Sequence, residues 1–158
     1  MLDTKELRRV MGHFATGVTI ITTRSADGTP YGLTANAFTS LSLDPPLCLV
    51  CVDRKAESFA HFYDSKVFTV NVLAREQAEL SDRFAKSGGD KFTGVPTVPG
   101  HHGAPLIAGA LATIECRITD TLEGGDHVIH VGRVEHFHMN AGEPLLYFQG
   151  KYRRLADA

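Results

Sequence analysis

Segments with strand character outnumber helical ones along this chain, and the two kinds do not alternate regularly. Residues 18–23, VTIITT, are β-branched at every position, and SADGTP after them contains an Asp-Gly turn signal. Two longer strand candidates, LATIECRITDTL and HVIHVGRVEHFHM, are joined by EGGD. Because a doubly wound sheet requires βαβ alternation, this order predicts a mainly β fold, an antiparallel barrel with helical insertions.

Three segments have helical character. Residues 3–14 place apolar side chains at helical spacing behind a candidate cap, Asp3 or Thr4, and ESFAHFYDS and REQAELSDRFAK predict shorter helices. The remaining strand candidates are a segment from Tyr31 through residue 40, the run LCLVCV at 47–52, KVFTVNVL and EPLLYFQGKY. LCLVCV is apolar on both faces, which predicts a central buried strand. The loop 87–106 is long and rich in Gly and Pro, which favours a functional covering.

Composition narrows the class of protein. A chain of 158 residues with 43% apolar and 22% charged residues is expected to form one globular domain, 1–158. Its net charge of −2 provides no general attraction for nucleic acid or an acidic membrane. The charged N-terminal segment, the lack of a long apolar run and the odd number of cysteines, three, predict a cytoplasmic protein without a disulfide framework.

Common catalytic and metal motifs give weak signals. Cys48 and Cys51 form C-x-x-C, but positions three apart on a strand point to opposite faces, and Cys116 is expected to stand alone. The thiols are therefore interpreted as apolar packing. The histidine pairs 101/102, 127/130 and 136/138 lack a third ligand at metal-binding spacing, so no metal is predicted. The chain contains no nucleophile elbow, Walker loop or G-x-G-x-x-G.

Polar side chains follow one face of the segment from Thr34 to Ser40. If this segment is one strand, its shared face carries a hydroxyl, the Asn36 amide, a ring and another hydroxyl. An amide both donates and accepts hydrogen bonds, which suits the edge of a heterocycle. Ser58, at the start of a predicted helix with Lys55 nearby, suits a phosphate. The alternative is a polar edge strand and a simple helix cap, and both interpretations stay open.

Seven segments together resemble the short-chain flavin reductases, the small components of two-component flavin-dependent monooxygenases. The segments are FATGVTIITT (14–23), GLTANAFTSLSLDPPLCLVCVDR (32–54), FTVNVLAREQAELSDRFA (68–85), KFTGV (91–95), GAPLIAGALATIEC (103–116), GDHVIHVGRV (125–134) and PLLYFQGKYRRL (144–155). The resemblance implies an antiparallel Greek-key FMN-binding split barrel. It also implies reduction of FMN or FAD by NADH or NADPH, release of reduced flavin to a separate oxygenase, and a homodimer.

The same resemblance implies roles for individual residues. The isoalloxazine and ribityl portion would contact Thr34, Ala35 and Asn36, and the ribityl chain and phosphate would contact Ser40, Asp53, Ser58 and Lys55. Arg83 and Phe84 would lie by the flavin, His127 would position the nicotinamide, and Tyr152 would lie at the pocket rim.

Three other functions remain open from the sequence. The first is a flavoprotein that keeps FMN tightly bound and reduces corrinoid cobalt, ferric iron or a small organic molecule. The second is a flavin carrier without NAD(P)H activity. The third is a barrel without a cofactor, which the polar face around Asn36 disfavours. The choices between FMN and FAD, and between NADH and NADPH, also stay open.

Overall fold

The computed structural model describes residues 2–156, which form mostly antiparallel strands. The helices are α1 (Thr4–Met11), α2 (Phe59–Ser65) and α3 (Ala78–Ala85), the last preceded by a 3-10 turn, Arg75–Gln77. The strands are β1 (Thr16–Gly17), β2 (Thr19–Arg24), β3 (Pro30–Ala35), β4 (Phe38–Leu43), β5 (Pro46–Asp53), β6 (Val67–Val72), β7 (Thr97–Pro99), β8 (Pro105–Ile107), β9 (Ala112–Gly124), β10 (His127–Met139), β11 (Leu146–Phe148) and β12 (Lys151–Arg153).

The main sheet has seven strands in the order β3-β2-β6-β9-β10-β5-β4, and every pair is antiparallel. Its two edge strands, β3 and β4, follow each other in the chain, with only Asn36 and Ala37 between them. Two intervening residues can span only about 11 Å, so the two edges must lie close together and the sheet curls into a barrel. The predicted mainly β antiparallel barrel is confirmed.

The junction between β3 and β4, hereafter the seam, corrects one prediction. The segment from Thr34 to Ser40 is not one strand, because the chain leaves one sheet edge at Ala35 and joins the opposite edge at Phe38. Ala37 is held at the seam by a hydrogen bond that its carbonyl accepts from Cys51 N (3.0 Å). The backbone at 36–37 therefore lies outside the β3 and β4 ladders, where a ligand can approach it.

The barrel interior is filled by apolar side chains from alternate strand positions. Strand β5 lies between β10 and β4 and buries Cys48, Val50 and Val52, but its other face is only half-buried. It is therefore an interior strand of the sheet as predicted, but the predicted burial on both faces is wrong. Cys116 does not stand alone, since its Sγ lies 3.4 Å from that of Cys48.

The long loop 87–106 contains β7 and leads into β8, which packs against the main sheet. Asn71 accepts a hydrogen bond from Ile107 N (2.8 Å) and donates to Ile20 O (3.0 Å), which ties β8 to β6 and β2. Thr22 Oγ1 adds a bond to Pro105 O (2.6 Å). The C-terminal half of the loop thus covers the sheet, and its beginning remains close to the seam.

Helix α1 is shorter than predicted and buries none of its residues. Asp3 caps it by accepting from Lys5 N (2.8 Å) and Glu6 N (3.3 Å), as the sequence indicates. The helix ends at Met11, and Phe14 lies beyond it with 78% of its surface exposed. Among the helices of residues 2–156, none has the length and apolar character to cross a bilayer.

Candidate functional site

A cavity of about 330 Å³ opens at the seam. It is bordered by the end of β3, the end of β5, the start of β10 and the segment that precedes α2. Its lining includes eight of the residues predicted to form the site: Thr34, Ala35, Asn36, Asp53, Lys55, Ser58, Phe84 and His127. Its volume is in the range of small-molecule sites.

Strand β3 and the residue after it form one wall of the cavity. Thr34 Oγ1 donates to Ser81 O (2.6 Å), which ties β3 to α3 and uses the hydroxyl within the protein. Thr19 Oγ1 donates to Ala35 O (2.6 Å), so the carbonyl at the end of the strand is also paired. Asn36 is exposed at the seam, where its amide can reach a bound molecule. Of the three residues, Asn36 therefore has the polar group best placed for a ligand.

The segment after β5 supplies a buried hydroxyl that is left unpaired within residues 2–156. Ser58 is only 2% exposed, and its Oγ has no hydrogen-bond partner among these residues. Buried polar groups are nearly always paired, because an unpaired one costs about 1–3 kcal/mol. The preceding turn is held by Lys55 N, which donates to Asp53 Oδ1 (2.8 Å). An oxygen-rich ligand would satisfy Ser58, and Lys55 would add positive charge.

The start of a helix contributes to the prediction that Ser58 suits a phosphate. Helix α2 has only seven residues, and the Ser58 side chain does not cap it. The unpaired hydroxyl, and not the helix end, is therefore the structural feature that indicates a ligand here.

His127 lies opposite Asp53 in the ladder between β10 and β5, at the border of the cavity. Its Nδ1 donates to Asp126 Oδ1 (2.7 Å), and this hydrogen bond holds the pKa of Asp126 below its ordinary value. The contact fixes the ring and leaves Nε2 for a ligand. His130, three residues further along β10, is buried in the core and so diverges from His127.

Two further lysines, Lys86 and Lys91, line the cavity and were missed by sequence reasoning. Lys91 belongs to the segment KFTGV, but a lysine in a loop rich in glycine has no periodicity that would reveal its direction. Arg83 orients this loop by donating through Nη2 to Asp90 O (3.2 Å) and Thr93 O (2.7 Å). Together with Lys55, the two lysines make this side of the cavity suitable for an anionic group.

Three predicted site residues do not line this cavity. Ser40 is exposed on β4, opposite Cys48 in the ladder. Arg83 is directed to the carbonyl oxygens of the loop, as described above. Tyr152 lines a neighbouring cavity of about 520 Å³, which shares Thr34, Ala35, Asn36 and Ala85 with the first. The Tyr152 hydroxyl donates to Asp82 Oδ1 (2.7 Å), and burial raises its pKa.

The cysteine and histidine pairs do not form a redox or metal site in the described residues. Cys48 is in the core, whereas Cys51 lines the cavity and has its pKa raised by burial, so the two thiols diverge as predicted. His101 stacks on His136 with ring centroids 3.7 Å apart and contacts the buried Glu115 through Nδ1 (2.9 Å). Residues 2–156 contain no group of three or more potential ligands arranged to hold a metal ion.

Comparison with known proteins identifies related sequences and structures. A sequence profile described as "Flavin reductase like domain" matches residues 11–156. The reductase component of a 4-nitrophenol 4-monooxygenase/4-nitrocatechol 2-monooxygenase from Rhodococcus opacus is 45% identical over 96% of this chain and 80% of that protein. A probable flavin reductase of Rhizobium meliloti is 41% identical over 96% of this chain, which spans only 49% of that relative. The NADH:FAD oxidoreductase SgcE6 of Streptomyces globisporus superposes with a TM-score of 0.92 at 43% identity, over 98% of this chain and 95% of that one.

Proposed function

The chain belongs to the flavin reductase-like domain family, and from that premise we propose that it is an NAD(P)H:flavin oxidoreductase (EC 1.5.1.-). In this proposal hydride passes from a nicotinamide to FMN or FAD, and the reduced flavin is delivered to a separate monooxygenase. One observation carries the assignment of the site. The cavity at the seam brings together Asn36, Ser58 and His127, which are far apart in the sequence and complementary in chemistry.

The residues of the cavity fit a flavin nucleotide. Asn36 can donate to and accept from the ring edge, and Ser58 offers a buried hydroxyl that no other described residue pairs with. Lys55, Lys86 and Lys91 supply positive charge for a phosphate. Of the remaining predicted contacts, Thr34, Ala35, Asp53 and Phe84 line the cavity, whereas Ser40, Arg83 and Tyr152 lie outside it. We therefore propose the first group as flavin contacts and Arg83 as a residue that orients the loop bearing Lys91.

The protein's part in the reaction is binding and orientation. Bound flavin and nicotinamide supply the redox chemistry, so neither a nucleophile nor a metal is required of the chain. Asp126 holds the His127 ring, and His127 positions the nicotinamide against the cavity. Cavity walls from β3, β5 and β10 exclude part of the solvent around the reacting groups. His127 is thus a positioning residue and not a proton-transfer base.

Separate partners follow from the same proposal. Relatives are named as reductase components of monooxygenases, which supports a separate oxygenase that consumes reduced flavin.

A homodimer is supported by large apolar side chains that the single chain leaves exposed, namely Val10, Met11, Phe14, Leu43, Phe137 and Met139. Sedimentation would test the dimer. A cytoplasmic location stays a prediction from the sequence.

The proposed function is tested by purifying the protein and following NADH and NADPH oxidation with and without added FMN or FAD. Oxidation that depends on added flavin is the expected result. A yellow protein that oxidises no NAD(P)H under any condition would contradict the reductase and favour a carrier. A yellow protein that oxidises NAD(P)H only when ferric iron, a corrinoid or an organic acceptor is added would favour the tightly bound flavoprotein. A colourless protein that binds no flavin would refute the site.

A further inference from the structure

A second cavity, of about 590 Å³, lies next to the cavity at the seam and shares lining residues with it. Glu57, Ser58 and Lys91 border both. The buried hydroxyl of Ser58, which has no partner in the described part of the chain, therefore lies at the junction between the two cavities. A ligand that places a phosphate at this junction can extend into either cavity.

Aromatic rings on fixed supports form the walls of the second cavity. The Tyr31 ring stacks on His61, with centroids 3.8 Å apart and planes inclined by 25°. Phe92 packs edge-on against Phe84, with centroids 4.9 Å apart. Gly32 makes this packing possible, since a Cβ there would lie 3.0 Å from Phe84 Cε1 and 3.3 Å from Phe92 Cζ. Such preformed aromatic walls suit a flat heterocycle.

Charged groups around the junction suit a diphosphate and a ribose. The Lys91 ammonium lies 3.5 Å from Gly32 O and 3.4 Å from Phe84 O, long contacts that a phosphate oxygen can replace. Asp90 is occupied within its own loop, where it accepts from Phe92 N (2.9 Å) and Thr93 N (3.0 Å), and the Thr93 side chain and backbone hold its pKa below its ordinary value. Glu57 is left as an acceptor for a ribose hydroxyl.

We propose that the second cavity binds the adenylate half of FAD and that the protein consequently prefers FAD to FMN. The diphosphate lies at Ser58 and Lys91, and the adenine lies against the wall that contains Tyr31 and Phe92. FMN ends at the junction and leaves this cavity unused. The inference rests on the proposed function, because it requires a flavin in the cavity at the seam.

The test compares dissociation constants for FMN and FAD in the wild type and in Thr29→Trp, with Thr29→Ser as the matched control. Thr29 is exposed and lines only the second cavity of the two, so tryptophan there blocks that cavity without removing a core group. The wild type is expected to bind FAD about tenfold or more tightly than FMN. Thr29→Trp is expected to abolish the preference for FAD while leaving the dissociation constant for FMN unchanged. Thr29→Ser is expected to keep the preference for FAD.

A second variant, Tyr31→Ala, removes the Tyr31 ring from the aromatic wall. Thermal unfolding of each variant confirms that it folds. Equal affinities for FAD and FMN in the wild type would overturn the inference and leave the proposed function intact. The inference would also be overturned, with the proposed function intact, if Thr29→Trp kept the FAD preference but raised the KM for NAD(P)H. The second cavity would then hold the adenylate of the nicotinamide coenzyme. Failure of the wild type to bind either flavin would instead refute the proposed function.

Discussion

Cys48 Sγ and Cys116 Sγ lie 3.4 Å apart in the core, although the residues are 68 positions apart and their strands, β5 and β9, do not pair. Strand β10 runs between these strands and places Gly132 opposite Cys48. Because glycine has no side chain, the two thiols and the Phe68 ring can fill the space above β10. Gly132 is therefore a packing requirement of this part of the core.

Replacement of Gly132 by alanine is expected to destabilise the protein. An added Cβ would lie 2.5 Å from Phe68 Cζ and 2.7 Å from Cys116 Cβ, so the core must shift to accept it. Overpacking of this kind costs about 1–3 kcal/mol of unfolding free energy. Chemical denaturation would measure the loss. Gly17→Ala is the control, because no atom of the described residues lies within 4 Å of a Cβ there. Equal stability of the two variants would contradict the packing argument.

The three thiols are expected to react with a small thiol reagent at very different rates. Cys48 and Cys116 are buried, and the neighbouring Cys48 thiol together with burial raises the pKa of Cys116. Cys51 borders the cavity, so it should react first, and saturating flavin should slow its reaction several-fold. Mass spectrometry would identify the labelled residue. Cys51→Ser should abolish the fast phase, and an unaffected rate in the presence of bound flavin would place the ligand elsewhere.

His130 should make the protein less stable in mild acid. It is fully buried, stacks on Phe62 and has its pKa lowered from 6.5 to about 4 by desolvation. Since the folded-state pKa is the lower one, the unfolded chain binds the proton more readily between these values. The contribution of neutral His130 to the unfolding free energy is complete above pH 6.5 and declines as pH falls. Near pH 4 it is lost, which lowers the unfolding free energy by at most roughly 3 kcal/mol. Denaturation of the wild type and His130→Gln across this range would measure it, and parallel curves would refute the assignment.

His127→Ala is expected to impair the use of NAD(P)H while leaving flavin binding nearly intact. The imidazole, held by Asp126, is assigned to the nicotinamide, so its loss should lower kcat or raise the KM for NAD(P)H by about tenfold. Flavin titration and steady-state rates would separate the two effects. His127→Asn serves as the matched polar variant and should recover part of the activity. A large loss of flavin affinity in His127→Ala would refute the assigned role.

Asn36→Leu is expected to weaken flavin binding without changing stability. Asn36 is exposed at the seam, so its amide contributes little to the folded state, but an apolar side chain cannot pair with the ring edge. Loss of one hydrogen bond of about 1–1.5 kcal/mol corresponds to about a tenfold higher dissociation constant. Fluorescence titration would measure it, with Asn36→Asp as a control of similar size. An unchanged constant in Asn36→Leu would remove this residue from the site.

Local patterns in the sequence were enough to predict several of the individual elements. The β-branched run before the Asp-Gly turn forms β2, the two long segments around EGGD form the β9–β10 hairpin, and Asp3 caps α1. These features depend on neighbouring residues, whose side chains and backbone preferences act within one strand, turn or helix. The helical spacing of apolar residues predicts α1 itself, but the single chain leaves that apolar stripe exposed.

Contacts between distant segments were decided by tertiary structure alone. The break at Asn36 and Ala37, the meeting of Cys48 with Cys116 over Gly132, and the arrival of Lys91 beside Ser58 all require knowing which strands become neighbours. Periodicity reports which face of a strand is apolar but not which strand lies beside it. The neighbours of each strand are decided when the sheet curls and its two edges meet. The candidate site lies at this meeting of the edges.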